Sequence, residues 1–145
     1  MPLKLSLKPG EKFVLNGAVL VNGDRRSSLV VQNTAAILRE RDIMQMDEAN
    51  TPARRIYFPI MMMYLEADTH DEFYNDYVLR MSEFMGAIQD PAALALCVHI
   101  SKEVMSGQFY KALVSCKQLF EYEQERLNYV PDGVSESPVD DRNTA

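Results

Sequence analysis

Cysteine and histidine are scarce: the 145 residues hold two of each, and Cys97 and Cys116 form neither a CxxC pair nor a metal-ligand spacing. A disulfide scaffold and a zinc site are therefore not expected, and both thiols read as reduced core groups. His99 lies two residues from Cys97, a helical step of about 200° that puts the two side chains on opposite faces and denies them a dyad. His70 falls in a helix cap. The sequence also lacks a glycine-rich phosphate loop, a metal motif and a nucleophile elbow, so neither catalysis nor a cofactor is expected. Long apolar runs are missing too. Ile60 to Leu65 falls far short of a membrane span, and Met1-Pro2-Leu3-Lys4 lacks the apolar core of a signal peptide, so a cytosolic protein without a membrane partner is expected. The length suits one domain, or two small lobes in contact.

Charge is present but unevenly placed. Residues 1–58 hold nine Lys/Arg and six Asp/Glu, whereas 59–145 hold six and fifteen, so a formal +3 gives way to −9. Hydrophobic period changes at the same place. Apolar residues alternate and are broken by Asn-Gly pairs before Arg54, as in strands, and recur every three or four residues after Leu65, as in helices. Pro59 denies a backbone donor and biases Phe58 toward an extended conformation, which predicts a strand ending at Phe58 and a helix beginning at Pro59.

In the first part, Leu3, Leu5 and Leu7 alternate with Lys4, Ser6 and Lys8, giving one leucine face and one basic face. Asn16-Gly17 supplies the positive φ angles of a two-residue hairpin between Phe13–Leu15 and Ala18–Val21. A turn at Asn22-Gly23-Asp24, then Leu29–Val31, Ile37–Arg39 and Arg54–Phe58, make five or six short strands. The polar stretch from Gln45 to Pro52 reads as a loop, with partial helix between Ala35 and Met46. In the second part, Thr69-His70-Asp71-Glu72 fits a capping box. Phe73, Tyr77, Met81, Phe84 and Ile88 follow as one helical stripe. Asp90-Pro91 starts the next helix, with Leu94, Cys97, Ile100, Ser101 and Val104 on one side, and Gly107 ends it. A last helix runs from about Gln108 to Leu127, burying Phe109, Leu113, Cys116, Phe120 and Leu127. Cys97 and Cys116 then lie level in an antiparallel hairpin. The expected fold is α+β: a basic antiparallel β barrel or sandwich over 1–58, an acidic region of about three helices over 59–130, and a disordered tail over 131–145.

Two surfaces stand out as binding candidates. Lys4 and Lys8 project from one side of a strand about 13 Å apart at ~3.3 Å per residue. Lys12, Arg25, Arg26, Arg39, Arg54 and Arg55 surround them in sequence, with Tyr57 as a stacking group, and such a face can track a phosphate backbone. Lysines on sheet edges also deter aggregation, and Glu11, Glu40 and Asp42 dilute the patch. The flexible, polarizable Met61, Met62, Met63 and Met85 suit an adaptable groove for a partner helix, although such residues more commonly form core.

The opening from Met1 to Lys12 forms a pattern with Asn16-Gly17-Ala18, Asn22 to Arg26, Leu38-Arg39-Glu40, Asp42-Ile43-Met44 and Thr51-Pro52-Ala53-Arg54 through Leu65. Glu83 to Gly86, Ile100-Ser101-Lys102, Tyr110 to Leu113 and Tyr122-Glu123 extend it. Together these segments resemble the FlbT family of flagellin-expression regulators over nearly all of the chain except the tail. The resemblance implies a post-transcriptional regulator that associates with the 5′ untranslated region of flagellin messenger RNA and promotes its degradation. It also implies FlaF or flagellin as protein partners, and it leaves homo-oligomer formation open. It brings no set of RNA-contacting residues, so the candidates above rest on charge alone. Gly10-Glu11 after the first strand gives a short likeness to CsrA-type regulators. The helix from Tyr110 to Glu123 is faintly similar to flagellin chaperones, which keeps a chaperone or adaptor role as the alternative.

Overall fold

A computed structural model describes residues 3–66, 68 and 70–128, with side chains up to Arg126. Thr69 of the expected capping box, the Leu127 side chain and the tail over 131–145 lie outside the described residues.

Among the described residues five strands precede four α-helices: β1 (Leu3–Leu7), β2 (Lys12–Leu15), β3 (Ala18–Val21), β4 (Ser27–Val31) and β5 (Ile37–Arg39), then α1 (Pro52–Leu65), α2 (His70–Ala87), α3 (Pro91–Met105) and α4 (Phe109–Asn128). Short 3-10 turns at Glu40–Asp42 and Met46–Glu48 link the two parts. The α+β expectation holds, but the strands do not close into a barrel. They form two small antiparallel sheets, β1–β4 and β3–β2–β5. The hairpin at Asn16-Gly17 forms as its sequence dictates, with φ of 50° and 85° and Leu15 paired to Ala18. Strand β4 skips past the hairpin to pair with β1, Leu5 opposite Leu29, which splits the expected meander in two.

Side chains hold the sheets together. Asn22 Nδ2 donates to the carbonyls of Lys8 at 2.8 Å, Arg25 at 2.9 Å and Leu7 at 3.3 Å, and the Gly10 amide donates to the Gly23 carbonyl at 2.8 Å. The Arg39 guanidinium grips the Glu11 carboxylate at 2.9 Å and donates to the Ser6 carbonyl at 2.5 Å, so one side chain ties β5 to β1 and the β1–β2 turn. At the outer edge of β5, the Ile37 amide donates to Tyr64 Oη at 2.9 Å and the same hydroxyl donates to the Ile37 carbonyl at 3.1 Å. The opposite edge, β3, is exposed along its whole length and apolar, with Val19 67% and Val21 61% accessible.

The stretch expected to be a strand followed by a helix is one helix. Its start is encoded at Thr51, whose hydroxyl accepts from the Arg54 amide at 3.2 Å, and at Pro52, whose missing N–H costs nothing in a first turn. Pro59 sits inside α1 and is buried there. The sequence pattern misled because α1 is the central helix: Ala53, Ile56, Tyr57, Pro59, Ile60, Met61 and Met63 are all buried, so no polar stripe marks a helical period. Helices α2 and α4 both pack on α1, and α3 packs on α4. This adds a fourth helix to the about three expected and removes Arg54–Phe58 from the strands. Tyr77, Met81 and Phe84 of α2, and Cys97, Ile100 and Val104 of α3, face the core as their spacing predicts. Asp90 caps α3 through its Oδ1, and Gly107 follows that helix with a φ of 76°.

Candidate functional site

Alternation along β1 sends Leu5 and Leu7 into the core and leaves Lys4, Ser6 and the following Lys8 exposed. Arg26 Nη1 donates to Ser6 Oγ at 3.3 Å, which lays a third cation on that face between the two lysines. Asn22 draws the Arg25 carbonyl to the Lys8 carbonyl and so brings the β1–β2 and β3–β4 connections together. Lys8, Arg25 and Arg26 are thereby gathered at one end of the β1–β4 sheet, Lys4 lies on the same face toward the other end, opposite Val30, and among the described residues none of the four forms an ion pair. Sequence reading recognised Asn22 as a turn residue only. Two of its three carbonyl acceptors, Leu7 and Lys8, lie 15 and 14 residues back in sequence, which no local signal reports.

The remaining basic candidates behave differently. Arg39 is neutralised by Glu11, whose carboxyl is held below its usual range by the Lys8 amide first and the Arg39 guanidinium second. Lys12 is exposed on β2, with its amide donating to Glu40 Oε1 at 2.8 Å. Arg54 and Arg55 lie on the first turns of α1 instead of on a sheet, Arg54 reaching Asn50 Oδ1 at 3.4 Å. Tyr57 cannot stack on a base, because it is 2% exposed, packs 5.3 Å from the Phe120 ring and donates its hydroxyl to the Asp42 carbonyl at 2.6 Å. Burial pushes the Tyr57 phenol well above its ordinary pKa.

Of the four methionines expected to line a partner groove, two are core residues. Met61 and Met63 are buried, the Met61 sulfur accepting from the Met44 amide at 3.3 Å, while Met62 and Met85 are half-buried against the core. They fill space between α1 and its neighbours, as soft side chains do. Exposed apolar residues on the helices lie elsewhere, at Val78 and Leu79 of α2, at Val98 and Met105 of α3 and at Tyr110 and Val114 of α4.

Chemistry-bearing groups are few. Ser115 Oγ donates to Glu103 Oε1 at 2.8 Å and His99 Nε2 lies 3.4 Å from Glu103 Oε2, so the carboxylate stands between serine and histidine and the imidazole cannot take the hydroxyl proton. Cys97 and Cys116 are fully buried and unbonded to each other. Burial raises both thiols, Cys97 to about 11 and Cys116 further, with the neighbouring Cys97 adding to the shift. Among the described residues no group of three or more His, Cys, Asp or Glu side chains could hold a metal ion, and no helix is long and apolar enough to cross a membrane.

A cleft of 310 Å³ opens where the start of α1, the end of α2 and the last turns of α4 meet. Arg55 faces it together with Arg80 and Arg126, so the structure separates Arg55 from the cations of the β1–β4 sheet.

A family model described as "Flagellar protein FlbT" matches residues 3–127. The "Probable flagellum biosynthesis repressor protein FlbT" of Caulobacter sp. (strain K31) is 60% identical over 130 residues, covering 90% of this chain and 99% of that protein. The "Flagellum biosynthesis repressor protein FlbT" of Caulobacter vibrioides (strain ATCC 19089 / CIP 103742 / CB 15) is 59% identical over 135 residues, 93% of this chain and 96% of that protein. A similarly named protein of Rhodopseudomonas palustris (strain TIE-1) is 34% identical over 130 residues, 88% of this chain and 99% of its own. No solved structure matches.

Proposed function

The chain belongs to the FlbT family of flagellar proteins, and from that membership we propose that it represses flagellum biosynthesis in the cytoplasm by binding the leader of flagellin messenger RNA through the β1–β4 sheet. The observation that carries the RNA part is that Lys4, Lys8 and Arg26 line one face of β1 with Arg25 beside Lys8, none of them in an ion pair among the described residues, while the nearby acid Glu11 is gripped by Arg39. Cations left free on a flat strand surface attract a phosphate backbone, and binding releases its condensed counterions. The acidic helices repel the same polyanion, so RNA is confined to one side of the molecule. The protein acts by occupancy: a bound leader changes its folding or its access to the ribosome, and a cellular nuclease does the cutting.

A protein-docking role for the helices is the second reading, with FlaF or flagellin as occupant. The exposed Val98, Met105, Tyr110 and Val114 favour it. It places the docking surface on α3 and α4 in place of the methionines.

The test of the RNA reading is the combined Lys4→Ala, Lys8→Ala, Arg25→Ala, Arg26→Ala protein. These side chains are exposed and the fold should survive. Affinity for a flagellin leader RNA should fall, and the slope of log K against log salt should flatten by about 0.7 for each phosphate the variant no longer neutralises. A folded variant with unchanged affinity and slope rules the face out.

A further inference from the structure

The cleft between α1, α2 and α4 has an apolar floor of Phe84, Ile88 and Tyr122 and a charged rim. Three arginines stand on that rim against two glutamates, and the acids are already engaged. Glu123 Oε2 accepts from the Ala53 amide at 2.9 Å, close to the start of α1. Glu83 Oε1 accepts from Arg80 Nη1 at 3.4 Å, and Arg80 Nε reaches Asp76 Oδ1 at the same distance. Two guanidiniums remain. Arg126 lies 5.8 Å from the centroid of the Tyr122 ring, Arg55 is exposed, and among the described residues neither meets a carboxylate.

From this we infer that the cleft binds the C-terminal residue of a partner polypeptide, its apolar or aromatic side chain on Phe84, Ile88 and Tyr122 and its terminal carboxylate across Arg55 and Arg126. Charge selects the ligand. The lining carries a net +1, which one carboxylate neutralises, whereas a phosphate dianion overruns it and meets Glu83 and Glu123 at the rim. Guanidinium forks match planar carboxylates, and an apolar surround strengthens the pairing. Size agrees, because 310 Å³ lies at the lower end of the about 300–1,000 Å³ of ligand pockets, room for one residue and its carboxylate. A chain terminus carries both features in a single residue. A free amino acid would bring an ammonium against Arg55 and Arg126, which disfavours it. The inference does not depend on RNA binding, since the cleft and the β1–β4 sheet share no residue.

The experiment uses the full chain and titrates acetyl-Gly-Leu-Phe, as the free acid and as the C-terminal amide, by heteronuclear NMR. The acid should bind and shift signals of Phe84, Ile88 and Tyr122, and the amide should bind about tenfold or more weakly, as expected when a charged partner is removed. This comparison needs no variant. Arg55→Gln with Arg126→Gln should erase the preference for the acid while circular dichroism and leader-RNA affinity stay unchanged. Lys102→Gln with Lys111→Gln, an equal loss of charge on α3 and α4 outside the cleft, should keep it. Equal binding of acid and amide, binding of neither, tighter binding of uridine 5′-monophosphate than of the acid peptide, or loss of RNA affinity in the double variant would each overturn the inference.

Discussion

Replacing Tyr57 by Phe removes one oxygen from the centre of the protein and separates two readings of that residue. The ring stays, so its packing on Phe120 and the hydrophobic contribution of α1 are nearly untouched. What disappears is the 2.6 Å hydrogen bond to the Asp42 carbonyl, in a place water does not reach. An ordinary hydrogen bond contributes about 0.5–1.5 kcal/mol net, and a buried acceptor left without its donor costs about 1–3 kcal/mol. The expected loss is therefore about 1–3 kcal/mol, or roughly 2–12 °C in Tm for a domain of this size. Urea unfolding should show a lower midpoint with an unchanged slope, because the surface exposed on unfolding is the same. Leader-RNA affinity below the melting range should not change. Alkaline titration gives an independent check. The phenol is raised in the folded state, so its stabilisation is complete below the unfolded tyrosine value of about 10 and is lost as pH climbs from there toward the folded value. The native protein should lose stability above about pH 10, and the variant should lose less. A stability change under 0.5 kcal/mol, about the scatter of neutral surface substitutions, or a selective loss of RNA affinity, would refute the core assignment and restore Tyr57 as an RNA-stacking residue.

The other expectations are briefer. Glu11→Gln should weaken the junction of β1, β2 and β5; in the native protein the Glu11 contribution is present above the ordinary glutamate value of about 4.3 and lost as pH falls through the depressed folded value, so urea midpoints of native and variant should converge at acid pH. Parallel loss at every pH would show that the carboxylate is not the operative group. Cys97 and Cys116 should resist a thiol reagent in the native state and react on denaturation, since both are buried with raised pKa values; rapid native labelling would contradict their burial.

Local chemistry made much of the fold legible. Asn16-Gly17, Asp90-Pro91 and Gly107 each require a backbone shape that few other residues supply, and each sits where its sequence requires. The stripe of Tyr77, Met81 and Phe84 was readable because α2 has a wet side to contrast with its buried one. Helix α1 was not, for its surroundings remove that contrast and Pro59 imitates a boundary. The Thr51-Pro52 start signal was present, at the end of a stretch whose polarity reads as a loop. For the candidate sites, Lys4 and Lys8 followed from alternation alone. The neutralisation of Arg39, the burial of Tyr57 and the meeting of Arg55 with Arg80 and Arg126 depend on partners 25 or more residues away in sequence for Arg39 and Arg55, or on a carbonyl 15 residues away for Tyr57, and no periodicity encodes them.

The Tyr64 hydroxyl on Ile37 decides how the β3–β2–β5 sheet can grow. A sheet open on both sides is a template that copies itself, since each added strand presents a new edge and growth has no natural end. In the three-stranded sheet the phenol occupies both backbone groups of Ile37 on the β5 side, which leaves β3 as the edge of that sheet open to a visitor. Two molecules meeting β3 to β3 would use up the open edge of each and leave a Tyr64-stoppered rim at either end. Self-association by that route terminates at a pair. Loss of the Tyr64 hydroxyl would turn a closed encounter into a chain reaction.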